Sequence, residues 1–188
     1  KEAGLLSFTS HPSLSEVVTS NSSGDVVVWD IRSGHELRKL SSEQGPVTAV
    51  VCSPQGDQVS LVCSDGSVLL RDLETGEIRQ RLHEPEKSLL SVAWNHQGTA
   101  LVTVNNVGGG ALWNAATGEK LTAPSSIAPA VLMAQFSPDG SQLAAGSAFG
   151  TTQIIELATG KSLTLKGHQG RINSLSWNHD GTQLATAA

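Results

Sequence analysis

Short apolar runs alternate with turn-forming clusters along the chain, and residues 47–82 show the pattern most clearly. Val47-Thr48-Ala49-Val50-Val51 reads as a strand, closed by the turn Ser53-Pro54-Gln55-Gly56-Asp57. Val59-Ser60-Leu61-Val62-Cys63 predicts a second strand, ended by the tight Ser64-Asp65-Gly66. Val68-Leu69-Leu70-Arg71-Asp72-Leu73 predicts a third, closed by Glu74-Thr75-Gly76, and residues 77–82 predict a fourth and more polar one. Glycine in these turns permits positive φ, while Asp, Asn, Ser and Pro supply local hydrogen bonds or a preset φ.

The group recurs with a period of 42 residues. Trp29-Asp30, Arg71-Asp72, Trp113-Asn114 and Ile155-Glu156 keep that step. So do Ser33-Gly34, Thr75-Gly76, Thr117-Gly118 and Thr159-Gly160. A third series, Gly56, Gly98, Gly140 and Gly181, has steps of 42, 42 and 41. Three landmarks on one period predict a single array of repeats at about 1–40, 41–82, 83–124, 125–165 and 166–188. Four strands per repeat, the outermost most polar, describe one blade of a radial stack of sheets.

These residues carry a family resemblance. Val26-Val27-Val28-Trp29-Asp30-Ile31-Arg32-Ser33-Gly34 resembles the strand ending in Trp-Asp that names the WD40 repeat. Phe136-Ser137-Pro138-Asp139-Gly140 and Gly167-His168 are similar to the family's turn and Gly-His signatures. The resemblance covers the full chain and implies an all-β fold, a WD40-type propeller of four-stranded antiparallel blades, incomplete here. It also implies a hydrogen-bonded tetrad of His, Asp, Ser/Thr and Trp in each blade, but no repeat contains all four. The turn-Asp position holds Ser23, Asp65, Val107 and Phe149, and the Trp position holds Trp29, Arg71, Trp113 and Ile155. The Ser/Thr position holds Thr19, Leu61, Thr103, Ala145 and Thr186. Apolar packing between sheets is therefore expected to carry the fold, with Trp29, Asp65, Trp113 and His168 as structural hydrogen bonders. The first repeat opens at its innermost strand and the last stops in its second. That pattern reads as part of a longer polypeptide whose remaining blades, from the same or a partner chain, cover the end faces. On that reading, residues 1–188 alone are expected not to form a stable monomer.

Composition narrows the function. Net charge is −5, from 12 Lys+Arg against 17 Asp+Glu, which argues against a nucleic-acid partner bound through its phosphates. No apolar run approaches a membrane span, and Lys1-Glu2-Ala3-Gly4 does not resemble a signal peptide. If the two cysteine-bearing runs pair, Cys52 faces about Val59 and Cys63 about Thr48. Their sulfurs then lie roughly 13 Å apart, beyond disulfide reach. Two free thiols fit a reducing compartment, the cytoplasm or nucleus. Asn21-Ser22-Ser23 matches a glycosylation sequon, but a Ser-rich chain produces such matches by chance.

No catalytic, cofactor or metal site is expected. The chain lacks a Gly-x-Ser-x-Gly elbow, a phosphate loop and a His-Glu-x-x-His pair. His96 and His179 recur in the same turn, and His11, His35 and His83 fall in separate loops without metal-ligand spacing. The Gly-rich run at 107–110 lacks a following Lys and reads as a distorted turn, and Asp57, Asp65, Asp139 and Asp180 are scattered over turns. Quinone-binding propeller enzymes also carry Thr-Gly repeats, but there the Trp follows the pair, whereas Trp29 and Trp113 precede it here.

By the resemblance, loops entering each innermost strand share a face with those joining second and third strands. That face offers Glu43, Gln44, His83, Glu84, Lys87 and Arg171, with Asp65, Val107 and Phe149, as partner-binding candidates. Phe149 at a turn tip is either a partner anchor or a plug against the neighbouring blade. The leading expectation is a non-catalytic protein–protein scaffold in a multiprotein complex. The alternative is a sensor propeller that controls a separate effector domain. An enzyme with a central-channel site is weaker, because residues 47–51, 89–93, 131–135 and 172–176 offer almost no ionisable groups.

Overall fold

The computed structural model describes residues 4–13, 15–42, 45–83, 89–105, 107, 109–121 and 130–188. Among them every regular element is a strand. The first sheet is β1 (Leu5–Ser10), β2 (Glu16–Asn21), β3 (Asp25–Asp30) and β4 (Glu36–Ser41). The second is β5 (Val47–Cys52), β6 (Gln58–Cys63), β7 (Ser67–Asp72) and β8 (Ile78–His83). The third is β9 (Leu89–Trp94), β10 (Ala100–Asn105), β11 (Gly110–Asn114) and the short β12 (Lys120–Leu121). The fourth is β13 (Val131–Phe136), β14 (Gln142–Ser147), β15 (Thr151–Glu156) and β16 (Ser162–Lys166). A two-stranded sheet follows, β17 (Ser174–Trp177) with β18 (Leu184–Ala187). In every sheet, strands neighbouring in sequence are neighbours in space, the arrangement a chain of hairpins forms at least cost in loop closure.

The predicted strands over 47–82 lie within one residue of β5 to β8 at each end. Trp29, Arg71, Trp113 and Ile155 fall in β3, β7, β11 and β15, the third strands of their sheets. One register differs from expectation. Cys63 pairs with Val47 rather than Thr48, because the β5–β6 ladder shifts between Val47 and Ala49. The same irregularity recurs between Leu5 and Ser7 and between Val131 and Met133. An extra residue at a bulge adds local twist that alternation along a strand does not reveal. Cys52 still faces Val59, so four pairing steps separate the thiols and both are free and buried.

The chain forms two compact units. Unit 1 comprises Lys1–Leu89 with Ala115–Gly118, and unit 2 comprises Leu90–Asn114 with Glu119–Ala188. In unit 1, Val18, Val26, Val28 and Leu40 of the first sheet pack on Val50, Val59, Leu61 and Leu69 of the second. In unit 2, Val102, Val104 and Leu112 of the third sheet pack on Ala134, Phe136, Leu143, Ala145 and Ile155 of the fourth. Strands buried on both faces lose their alternation, which is why β6, β7, β10 and β14 read as nearly continuous buried runs. In the second, third and fourth sheets the outermost strand is the most exposed, and every residue of β16 is exposed.

Candidate interaction surface

Each sheet has two ends, and its turns make them chemically different. At one end, second strands turn into third strands beside the segments that lead into the innermost strands. The Ser22 N–H donates to the Gly4 carbonyl at 3.1 Å, Ser64 to Pro46 at 3.0 Å and Ala148 to Ala130 at 2.9 Å. The first two bonds lie 42 residues apart in sequence and the third 84 further on, so the repeat places the same two loops together in these three sheets. In unit 1 the backbone N–H of Ser42 also donates to Gly24. In unit 2 the backbone of Gly150 abuts the carbonyls of His168 and Gly170. The two loop classes expected to share a face therefore meet within each unit.

The candidate residues on this end behave differently from one another. Phe149 is 75% exposed and Val107 68%, at equivalent turn tips of the fourth and third sheets. Both backbones are anchored from within the turn, Phe149 N–H to Ser147 Oγ at 3.1 Å and Val107 N–H to Asn105 Oδ1 at 3.2 Å. Asp65 caps its own turn, its Oδ1 accepting from the Ser67 N–H at 2.9 Å and the Ser67 hydroxyl at 2.6 Å. Partial burial pushes the Asp65 carboxyl up, but the Ser67 hydrogen bonds outweigh it and hold it below the ordinary carboxylate range. Arg171 is exposed, and so is His83 at the end of β8. Glu43, Gln44, Glu84 and Lys87 lie outside the described residues.

The structural candidates form partial networks. Trp29 Nε1 donates to Thr19 Oγ1 at 2.8 Å, and Trp113 Nε1 donates to Thr103 Oγ1 at 2.9 Å. His168 Nε2 and Thr186 Oγ1, at the equivalent Thr position, share a 2.8 Å hydrogen bond. Arg71, 7% exposed, stands where two other sheets have Trp and donates from Nη1 to the Gly76 carbonyl at 2.8 Å.

Sequence reasoning missed a charged cleft of about 460 Å³ at the other end of unit 1. Arg38 Nη2 lies 3.1 Å from both carboxylate oxygens of Glu16. Arg79 donates to Asp57 at 2.8 Å and also to Asp72, joining a turn of the second sheet to the hairpin beside it. The Ser13 N–H donates to His11 Nδ1 at 3.1 Å, so Nε2 carries the proton and donates to the Gly56 carbonyl at 3.0 Å. Every guanidinium in the cleft faces a carboxylate, which makes the cluster a brace between loops. The available signal was the repeat itself, because Arg79 stands where the first repeat has Leu37. Among the described residues no three His, Cys, Asp or Glu side chains gather as a metal site needs.

The brace has a pH signature. The Thr75 N–H and the Arg79 guanidinium pull the Asp72 carboxyl down to about 2. Partial burial raises Asp57, but hydrogen bonds from Arg79 and Ser53 overcome it and hold that group low as well. A carboxylate depressed on folding stabilises the native state above its unfolded pKa, about 4, and loses that contribution as pH falls toward 2. Arg79→Ala should therefore lower stability near neutral pH by no more than about 1 kcal/mol, given solvent screening. Variant and parent should converge near pH 2, as urea unfolding across the acid range would show. A constant gap at all pH values would remove Arg79 from the linkage.

Against this geometry, the WD domain, G-beta repeat family model matches residues 34–72 and 160–188. These two stretches carry WD40 repeats. The first match runs from the outer strand β4 through β5, β6 and β7, and the second from β16 through β17 and β18. Each WD40 match thus begins on the outer strand of one sheet and continues into the inner strands of the next. The all-strand sheets and the 42-residue step extend the same unit through the residues between the matches. WD40 repeats generally mediate protein–protein interaction, and WD40 domains are typically non-catalytic. No curated protein matches this chain.

Proposed function

We propose that this chain is a non-catalytic scaffold that holds protein partners in a multiprotein complex, through the loop end carrying Val107 and Phe149. The observation that carries the reading is the pair of exposed apolar tips at equivalent positions of two sheets. The Phe149 turn is bonded internally, so its backbone has little conformational entropy left to lose when the exposed ring is buried. The underlying sheets fix where each tip points, so affinity comes from a preorganised surface. Aromatic residues of this kind supply most of the energy at protein interfaces. The reading places the protein in the cytoplasm or nucleus, where its two buried thiols stay reduced.

A photo-crosslinking amino acid at position 149 tests this, with position 97 at the opposite end of unit 2 as control. Protein adducts are expected from position 149 and not from 97. Adducts from 97 alone, or equal yields from both, would overturn the assigned face.

A further inference from the structure

Unit 2 gathers its acidic residues at one end. Its acidic residues are Glu119, Asp139, Glu156 and Asp180. Each lies where a first strand turns into a second or a third into a fourth: between β11 and β12, β13 and β14, β15 and β16, and β17 and β18. These turns belong to one end. Gln97 Nε2 donates to the Asp139 carbonyl at 3.3 Å, and Gly181 abuts Pro138. At the opposite end, with Val107 and Phe149, the described residues of unit 2 include no acid. That end carries Lys166, His168 and Arg171 instead, all exposed. The His168 and Gly170 carbonyls meet Gly150, so this basic segment lies directly against the Phe149 turn. Among the described residues neither Lys166 nor Arg171 forms an ion pair. A chain with net charge −5 thus presents exposed cations beside the Phe149 tip that form no ion pair among the described residues.

We infer that this end of unit 2 docks an acidic peptide segment bearing an apolar side chain. The inference rests on the scaffold reading above and adds the chemistry of the partner. Phe149 would cover the apolar side chain, while Lys166 and Arg171 face its flanking carboxylates. The two cations matter because they repel a basic segment, and like charges across an interface select against wrong partners. The exposed cations also predict binding that weakens as salt rises.

The test is to pan a displayed random-peptide library on the folded protein, its strand content verified by circular dichroism, and measure the enriched peptides as fluorescein conjugates by polarisation. Enriched sequences should combine Asp or Glu with a large apolar residue. Phe149→Ala and the double change Lys166→Glu with Arg171→Glu should each weaken binding at least ~10-fold. Lys161→Glu makes half that charge change, at the acidic end, and should leave affinity within ~2-fold. Circular dichroism of each variant separates lost binding from lost folding. Neutral or basic peptides that still need Phe149 would overturn the acidic partner and leave the scaffold face standing. Peptides indifferent to both Phe149 and the two cations would overturn the face as well. Enrichment of no peptide would overturn the inference.

Discussion

Trp113→Ala is expected to destabilise the protein by about 3–5 kcal/mol, the usual loss for deleting a buried indole. Trp113 is only 6% exposed, between β10 and the short β12 on the third sheet. Lys120 Nζ lies 5.7 Å from its ring centroid, and its indole N–H is committed to Thr103. Removing it opens a cavity, loses a cation–π contact and leaves a buried hydroxyl without its donor. Trp29 makes the same hydrogen bond to Thr19 but is only half-buried, so Trp29→Ala should cost clearly less. Trp113→Phe keeps most of the apolar bulk and should lose about 1–2 kcal/mol, mainly for the orphaned Thr103. Urea unfolding of the three variants decides it. A loss from Trp113→Phe as large as that from Trp113→Ala would mean that the hydrogen bond, not burial, sets the cost.

Gly150→Ala should cost roughly 2–4 kcal/mol and disrupt the turn that displays Phe149. Gly150 has φ +75°, a conformation costly for any residue with a side chain. A methyl group there would also overlap the carbonyl oxygens of His168 and Gly170, which are backbone and cannot rotate away. Gly34 is the control. Its φ of +70° is equivalent, but a methyl group would meet nothing within 4 Å, so Gly34→Ala should show only the conformational cost of about 1 kcal/mol. Thermal or urea unfolding gives both numbers. Equal losses would show that the contact with the 168–170 segment yields freely, and that this segment does not hold the Phe149 turn in place.

The repeat, the four strands of each group and the strand ends over residues 47–82 were legible because they rest on local chemistry. Alternation reports one buried face, and Gly, Asp and Ser report turns, both within a few residues. Covalent periodicity then assigns equivalent positions without any structure, which is how Val107 and Phe149 came to be compared at all. The bulges were not legible, since one extra residue in a strand leaves composition and alternation almost unchanged.

What only the tertiary structure decided is which side chains far apart in sequence share a space. Arg79 meets Asp57 across 22 residues, and His11 meets Gly56 across 45, neither spacing being a local signal. Arg71 looked like a break in the Trp series, yet it is buried with its guanidinium on its own hairpin. The acidic end of unit 2 is the same kind of fact. Glu119, Asp139, Glu156 and Asp180 are spread over some sixty residues of chain, and antiparallel pairing gathers them at one end. Pattern along a chain fixes what each residue prefers. Long-range pairing alone fixes what it faces.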